Sequence, residues 1–295
     1  MLVDTDCGVD DALALAVLAK SADLELTQVT STWGNCTADE AAANAQYVLS
    51  TVDADQVPIV AGSSRPHPSW HRGTAHGPDG LGGSEPPRPP WAGPSGAAEA
   101  IVQFALDHAG EAELLCIGPL TNLSAALGRA PWIPELFRRV VIVAGHGVSD
   151  SEWLRQTGDT NTRHDPAAAQ HVADSSIPAI WVGIDVTRSV LLTEGDFGDG
   201  KVGRVLRRIH QDYGQKRARA YGYADMSWHV PAHDGVAAVC LADESAAGLV
   251  TAPGRMAVVD TEAGPTLRCG GSGNHRVATG IDAASVVSLL RRGAQ

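Results

Sequence analysis

Four acidic side chains, Asp4, Asp6, Asp10 and Asp11, stand within eight positions of the opening stretch MLVDTDCGVDDALALAVLA. Crowded carboxylates repel one another and are costly to bury unpaired. An aspartate at a helix start complements the helix dipole or caps a turn. That accounts for one or two of these residues and does poorly for all four together. Carboxylates with no Cys or His ligand pattern suit a hard cation, Ca²⁺ or Mg²⁺. An EF-hand is excluded: counted from Asp4, the sixth position is Val9 rather than Gly, and the twelfth is Leu15 rather than Glu.

The elements that must position this cluster are legible as alternating runs. Residues 24–32, 57–62, 113–120, 140–145 and 179–186 read as strands. They are mostly near-continuous apolar runs, as in a parallel sheet buried on both faces. Between them, residues 37–52, 97–109, 121–130 and 165–174 have helical spacing and helix-start residues. This order predicts an α/β fold: an open, mostly parallel, doubly wound (Rossmann-like) sheet with helices on both faces. Such sheets bind ligands at the carboxyl ends of their strands. Asp4 and Asp6 lie two apart at the end of the first strand, Gly8 permits a tight turn, and Asp10 and Asp11 open the next helix. All four can therefore converge above that strand end. A phosphatase with an aspartate nucleophile would need a lysine to balance the phosphoryl charge. The lysines are Lys20, Lys201 and Lys216, and none follows a strand end in such a motif.

At 295 residues the chain reads as one domain, 1–295, with no repeat and no second-domain boundary. A net charge of −12 argues against nucleic-acid and anionic-membrane partners. The basic run 216–222 reads as a solvated helix face. No membrane span and no leader are apparent, and the five scattered cysteines form no CxxC pair. These features predict a cytoplasmic protein with reduced thiols. Two segments break the pattern. Residues 63–96 are Pro/Gly-rich and carry His67, Trp70, His71, His76 and Trp91. Residues 201–229 read as a helical insertion in the C-terminal part, near the site, running into AYGYADMSWHVPAHD at 220–234.

The segment DTDCGVDDALAL resembles the N-terminal signature of the inosine-uridine-preferring nucleoside hydrolases. TSTWGNCTADEAAANA (30–45), AHGPDGLGG (75–83), IGPLTNLSAAL (117–127), GDTNTRHDPAAA (158–169) and HDGVAAVCL (233–241) resemble further family segments in the same order. HRVATGID (275–282) before the last helix fits as well. The resemblance implies calcium-dependent hydrolysis of the N-glycosidic bond of ribonucleosides, in nucleoside catabolism and salvage. It implies Ca²⁺ held by Asp6, Asp11, the carbonyl of Thr121 and Asp234, with Asp4 at or just behind the ion. Asp6 would be the general base, and His233 would protonate the leaving base. Asp10, Asn35, Asp159 and Asn161 would hold the ribose. His76 would stack on the base, and Tyr221, Tyr223, Trp228 and His229 would close over it. A homodimer or homotetramer is implied too.

The chain departs from the family pattern at four places. Cys7 stands where the family usually has proline, Asp159 where it has Glu, Ala144 where it often has Met, and Gly235 where it has Pro. Cys7 reads as a small apolar spacer, because its acidic neighbours oppose a reactive thiolate. A silent nucleoside- or ribose-binding protein on the same fold is the competing reading, and the site rather than the fold discriminates the two.

Overall fold

The apolar runs become strands sandwiched between helices. In the computed structural model, β1 (Leu2–Thr5) leads to α1 (Val9–Ala19), β2 (Gln28–Ser31) to α2 (Ala38–Thr51), and β3 (Ile59–Ala61) to α3 (Ala97–Asp107). Then come β4 (Ala112–Cys116), α4 (Thr121–Arg129), β5 (Phe137–Val143), α5 (Glu152–Thr157), α6 (Thr160–His164), α7 (Pro166–Asp174), β6 (Ala179–Val182) and α8 (Ile184–Thr187). Next are β7 (Leu191–Thr193), α9 (Lys201–Ala220), β8 (His229–Pro231) and α10 (His233–Ala242). The long strands β9 (Val250–Thr261) and β10 (Gly264–Gly280) precede α11 (Ala283–Gly293). The structure describes residues 1–63, 70, 72–83, 87–149, 151–220 and 228–295, with backbone alone at 217, 218 and 220. None of the described helices is long and apolar enough to cross a membrane.

The main sheet has the order β3-β2-β1-β4-β5-β6-β10-β9, parallel throughout except for β9, which pairs antiparallel with β10. Side chains alternate between two cores. Val3, Leu115, Val141 and Ile180 pack toward α1, α2 and α10, while Leu2, Leu114, Val140 and Trp181 pack toward α3, α4 and α7. Each buried aliphatic side chain contributes about 1.5–3 kcal/mol relative to exposure. The helices after β1 and β4 thus cover opposite faces of the sheet, although the two strands are neighbours. Their chains part at the carboxyl ends and leave a crevice, as at the switch point of any doubly wound sheet.

Three features differ from the sequence reading. Strand β1 stops at Thr5, so Asp6 is placed by the following turn and not by the strand. The helix beginning at 201 ends at 220. The β9–β10 hairpin was not legible, because glycines, a proline and half-exposed positions break its alternation. Its register also shifts between Gly270 and His275. Of the basic run, the side chains of Lys216 and Arg219 are exposed, and Lys216 pairs with Asp212 one turn earlier at 2.6 Å; the rest of the run lies outside the described side chains.

Asn44 of α2 ties two segments of the crevice together. Its fully buried amide donates to the carbonyls of Cys7 (3.3 Å) and Asp79 (2.9 Å). Asn44→Ala leaves both carbonyls without that donor, and a buried unsatisfied polar group costs about 1–3 kcal/mol. Urea unfolding of the variant should show a lower midpoint with an unchanged slope. An unchanged midpoint would mean that water replaces the amide without loss.

Candidate active site

The turn after β1 is built to present carboxylates. Cys7 adopts φ 40°, a left-handed conformation uncommon outside glycine. Proline, fixed near φ −65°, could not adopt it. The Cys7 N–H donates to Thr5 Oγ1 at 2.9 Å, and the Thr5 hydroxyl donates to Asp11 Oδ1 at 2.5 Å. Asp11 Oδ2 accepts the Gly8 N–H at 2.8 Å, closing the start of α1. The Cys7 thiol is fully buried, and burial pushes its pKa well above the ordinary value, so it acts as a spacer.

Each carboxylate then finds a different setting. Asp4 is sealed beneath the site, where Oδ1 accepts from Thr30 Oγ1 (2.7 Å) and Asn122 Nδ2 (2.8 Å) while Oδ2 has no partner. Asp6 Oδ2 accepts the Asn35 N–H at 2.7 Å, and its buried Oδ1 has no partner. Glycines make this possible: a Cβ on Gly34 would stand 2.0 Å from Asp6 Oδ2, and one on Gly118 would stand 2.9 Å from the Asp6 nitrogen. Trp70 Nε1 donates to the Gly34 carbonyl at 2.8 Å and holds that approach. Asp10, Asp11 and Asp234 bring carboxylate oxygens within 4.8 Å of one another. Asp234 arrives on the first turn of α10, packed against α1.

Burial dominates the electrostatics. It raises Asp4 to about 6, and it raises Asp11 to about 7 with help from the charge on Asp10. Asp6 and Asp234 are pushed well above the carboxylate range, again by burial first and neighbouring aspartates second. Such a group is neutralised by protons or by a cation. The oxygen-only donor set and the unpartnered oxygens of Asp4 and Asp6 fit a hard dication.

Above the carboxylates opens a cavity of about 650 Å³ lined by residues from both ends of the chain, among them Asp10, Asp11, Asn35, His76, Asp159, Asn161, His233 and Asp234. Asn161 Nδ2 donates to the carbonyls of Ile117 (3.0 Å) and Val143 (2.9 Å), which fixes the amide and leaves its oxygen for a ligand. Asp159 caps α6 through the Thr162 N–H at 3.0 Å. His233 Nδ1 lies 2.6 Å from Thr187 Oγ1. His76 Nδ1 accepts the Val9 N–H at 3.0 Å, so this nitrogen carries no proton. Its 3.7 Å approach to Asp10 is therefore no ion pair. The His76 ring packs against Tyr213, with centroids 5.0 Å apart and the rings tilted by 30°.

Several expected residues sit elsewhere. Trp228 is buried against Phe197, and its indole would meet any Cβ added at Gly214, so it backs the wall and does not line it. His229 lines the cavity in its place. Tyr221, Tyr223, His67 and His71 lie outside the described residues. The Thr121 hydroxyl donates to Asp165 Oδ2 at 2.7 Å, as the first residue of α4. Ala144 belongs to a core, and Gly235 packs near Leu290 and Leu13, so neither shapes the cavity wall. Trp153, Thr187, Arg188 and Tyr213 contribute without having been singled out. Their roles depend on which loops the fold brings together, and no spacing rule marks that.

Comparison with known proteins agrees with this fold. A plant nucleoside hydrolase superposes with a TM-score of 0.86 over 99% of this chain and 98% of its own, at 24% identity. A purine-preferring ribonucleoside hydrolase from Gardnerella vaginalis gives 0.84 over 99% and 98%, at 23% identity. At such identities these matches speak for the fold. In sequence, a probable uridine nucleosidase 2 from Oryza sativa subsp. japonica is 28% identical over 78% of this chain and 71% of its own. A pyrimidine-specific ribonucleoside hydrolase RihA from Salmonella schwarzengrund is 30% identical over 66% and 63%. The model of the inosine-uridine preferring nucleoside hydrolases matches residues 1–288. The chain belongs to that family of N-glycosyl hydrolases.

Proposed function

We propose that the protein is a calcium-dependent ribonucleoside hydrolase releasing ribose and free base, serving nucleoside catabolism and salvage. Asp6 is the observation that carries this: one oxygen is fixed by the Asn35 N–H, and the other is buried without a partner beside Asp10, Asp11 and Asp234. Asp6, Asp11, Asp234 and the Thr121 carbonyl would hold the ion, with Asp4 supporting the group from below. When bound, calcium lowers the pKa of a coordinated water. Asp6 takes the proton of the attacking water. Asp10, Asn35, Asp159 and Asn161 bind ribose hydroxyls and orient the sugar as positive charge develops on it. The Thr187 hydroxyl lies 2.6 Å from His233 Nδ1; donating there, it would leave the His233 proton on Nε2 for the leaving base. No position of this set carries an inert side chain, which a silent binding protein would tolerate. A single domain, a cytoplasmic setting and a homodimer or homotetramer complete the proposal, on the strength of the family likeness.

Ion removal should be visible in stability. Asp4 and Asp11 stand at about 6 and about 7, against 3.8 for an unperturbed carboxyl. Without the ion, the fold binds more protons than the unfolded chain between about pH 4 and pH 7 and loses stability as pH rises through that window. Thermal melts in chelator should therefore fall from pH 5 to pH 8, and excess Ca²⁺ should restore several degrees at pH 8. Identical melts with and without Ca²⁺ at pH 8 would remove calcium from the site.

Asp6→Asn should leave the fold intact while turnover drops roughly 10²–10⁴-fold, because an amide cannot take the proton from water. Steady-state ribose release measures this, and activity within a few-fold of wild type would place the base elsewhere.

His233→Ala should slow inosine and uridine hydrolysis by a similar roughly 10²–10⁴-fold. A nitrophenyl riboside expels a stable phenolate, so its turnover should barely change. Equal loss on both substrates would assign His233 a structural role beside Asp234.

A further inference from the structure

Two guanidinium groups line the otherwise acidic cavity, and they are committed differently. Arg163 directs its donors to Ala263 O at 3.4 Å and Thr160 Oγ1 at 3.3 Å. Arg188 lies with Cζ 3.7 Å from the centroid of the Trp153 ring. Among the described residues, its N–H groups have no hydrogen-bond or ion-pair partner in the protein. The two side chains come from separate elements, Trp153 from α5 and Arg188 from the residue that ends α8. Arg188 directly follows Thr187, whose hydroxyl touches His233 Nδ1. The pair therefore shares the His233 end of the cavity, where the proposed chemistry puts the leaving base.

We infer that Arg188, held against the Trp153 indole, reads the edge of the base remote from the sugar and favours bases with an oxygen there over bases with an amino group. A guanidinium carries five donors and no acceptor. Stacking on an aromatic face fixes its plane, so little freedom remains to be lost when a ligand pairs with it. The oxygen of uracil or hypoxanthine at that edge accepts from it. The exocyclic amino group of cytosine or adenine turns hydrogens toward hydrogens and leaves both sides unpaired, the arrangement by which polar sites reject analogues most strongly. Trp153 acts as a positioning residue through Arg188.

The inference rests on the nucleosidase reading, and its test separates the two. kcat/KM is measured for uridine, cytidine, inosine and adenosine with wild type, Arg188→Ala and Trp153→Leu, with melting temperatures alongside. Wild type should favour uridine over cytidine and inosine over adenosine by about tenfold or more, the range of a charge-assisted hydrogen bond. Arg188→Ala should erase this preference by lowering uridine and inosine turnover, leaving cytidine and adenosine within about threefold. Trp153→Leu should reduce the preference in the same direction without removing it. Equal losses on all four substrates, or no wild-type preference, overturn the inference alone. A preference untouched by Trp153→Leu overturns the part given to the indole. Ribose release from none of the four by wild type overturns the nucleosidase reading and the inference with it.

Discussion

Carboxylates packed out of water at the end of one strand repel each other, and most of the molecule's local architecture answers that repulsion. Asp4 receives two hydrogen bonds, from Thr30 on the neighbouring strand and Asn122 on α4. Asp11 is held by Thr5 and Gly8, and Asp6 by the Asn35 backbone. These donors reduce the cost of burying negative charge but do not remove it, since Asp4 and Asp11 still sit at about 6 and about 7. A dication is the simplest remaining source of neutralisation, and a carboxylate cluster of this kind is what gives it affinity. The topology supplies the space. Only where helices leave adjacent strands toward opposite faces does a sheet open a crevice at its edge.

The cavity above mixes charges of both signs. Its lining carries the carboxylates of Asp10, Asp11, Asp159 and Asp234, the amides of Asn35 and Asn161, three histidines, and the guanidinium groups of Arg163 and Arg188. Under the proposed function, the carboxylates would accept from the ribose hydroxyls and His233 would face the glycosidic bond. The fixed side chains supply orientation before the reaction begins, and such preorganisation is a large part of what enzymes contribute.

The parallel core was legible because strands buried on both faces announce themselves as unbroken apolar runs: β2, β3 and β6 lie inside the runs read as strands, while β4 and β5 begin before theirs. The hairpin of β9 and β10 was not, because its side chains are partly exposed and glycines interrupt its period. In the site, the opening aspartates stood out by type and spacing, while Asn161, His233 and Asp234 came from the family resemblance; Asp10, Asp11, Asn161, His233 and Asp234 line one cavity, and Asp4 and Asp6 do not line it. Trp228 misled for a physical reason: an aromatic near a site has two ways to be useful, and this one packs behind the wall. Arg188 and Trp153 could not have been paired from sequence, since the contact exists only after α5 and α8 are brought to one rim. Cys7 was correctly read as a spacer, but its left-handed backbone is a property of the turn and leaves no mark in composition.

The acidic group is assembled from segments far apart in the chain, α1 supplying Asp10 and Asp11 and α10 supplying Asp234. During synthesis the first carboxylates emerge long before their distant counterpart exists. A ribosome-bound fragment lacking α10 has half a cage and a strand end whose charges nothing gathers. Long-range closures of this type form late and slowly. A cation held by this group would therefore require the finished fold, because the carboxylates that would surround it meet only after α10 has docked against α1.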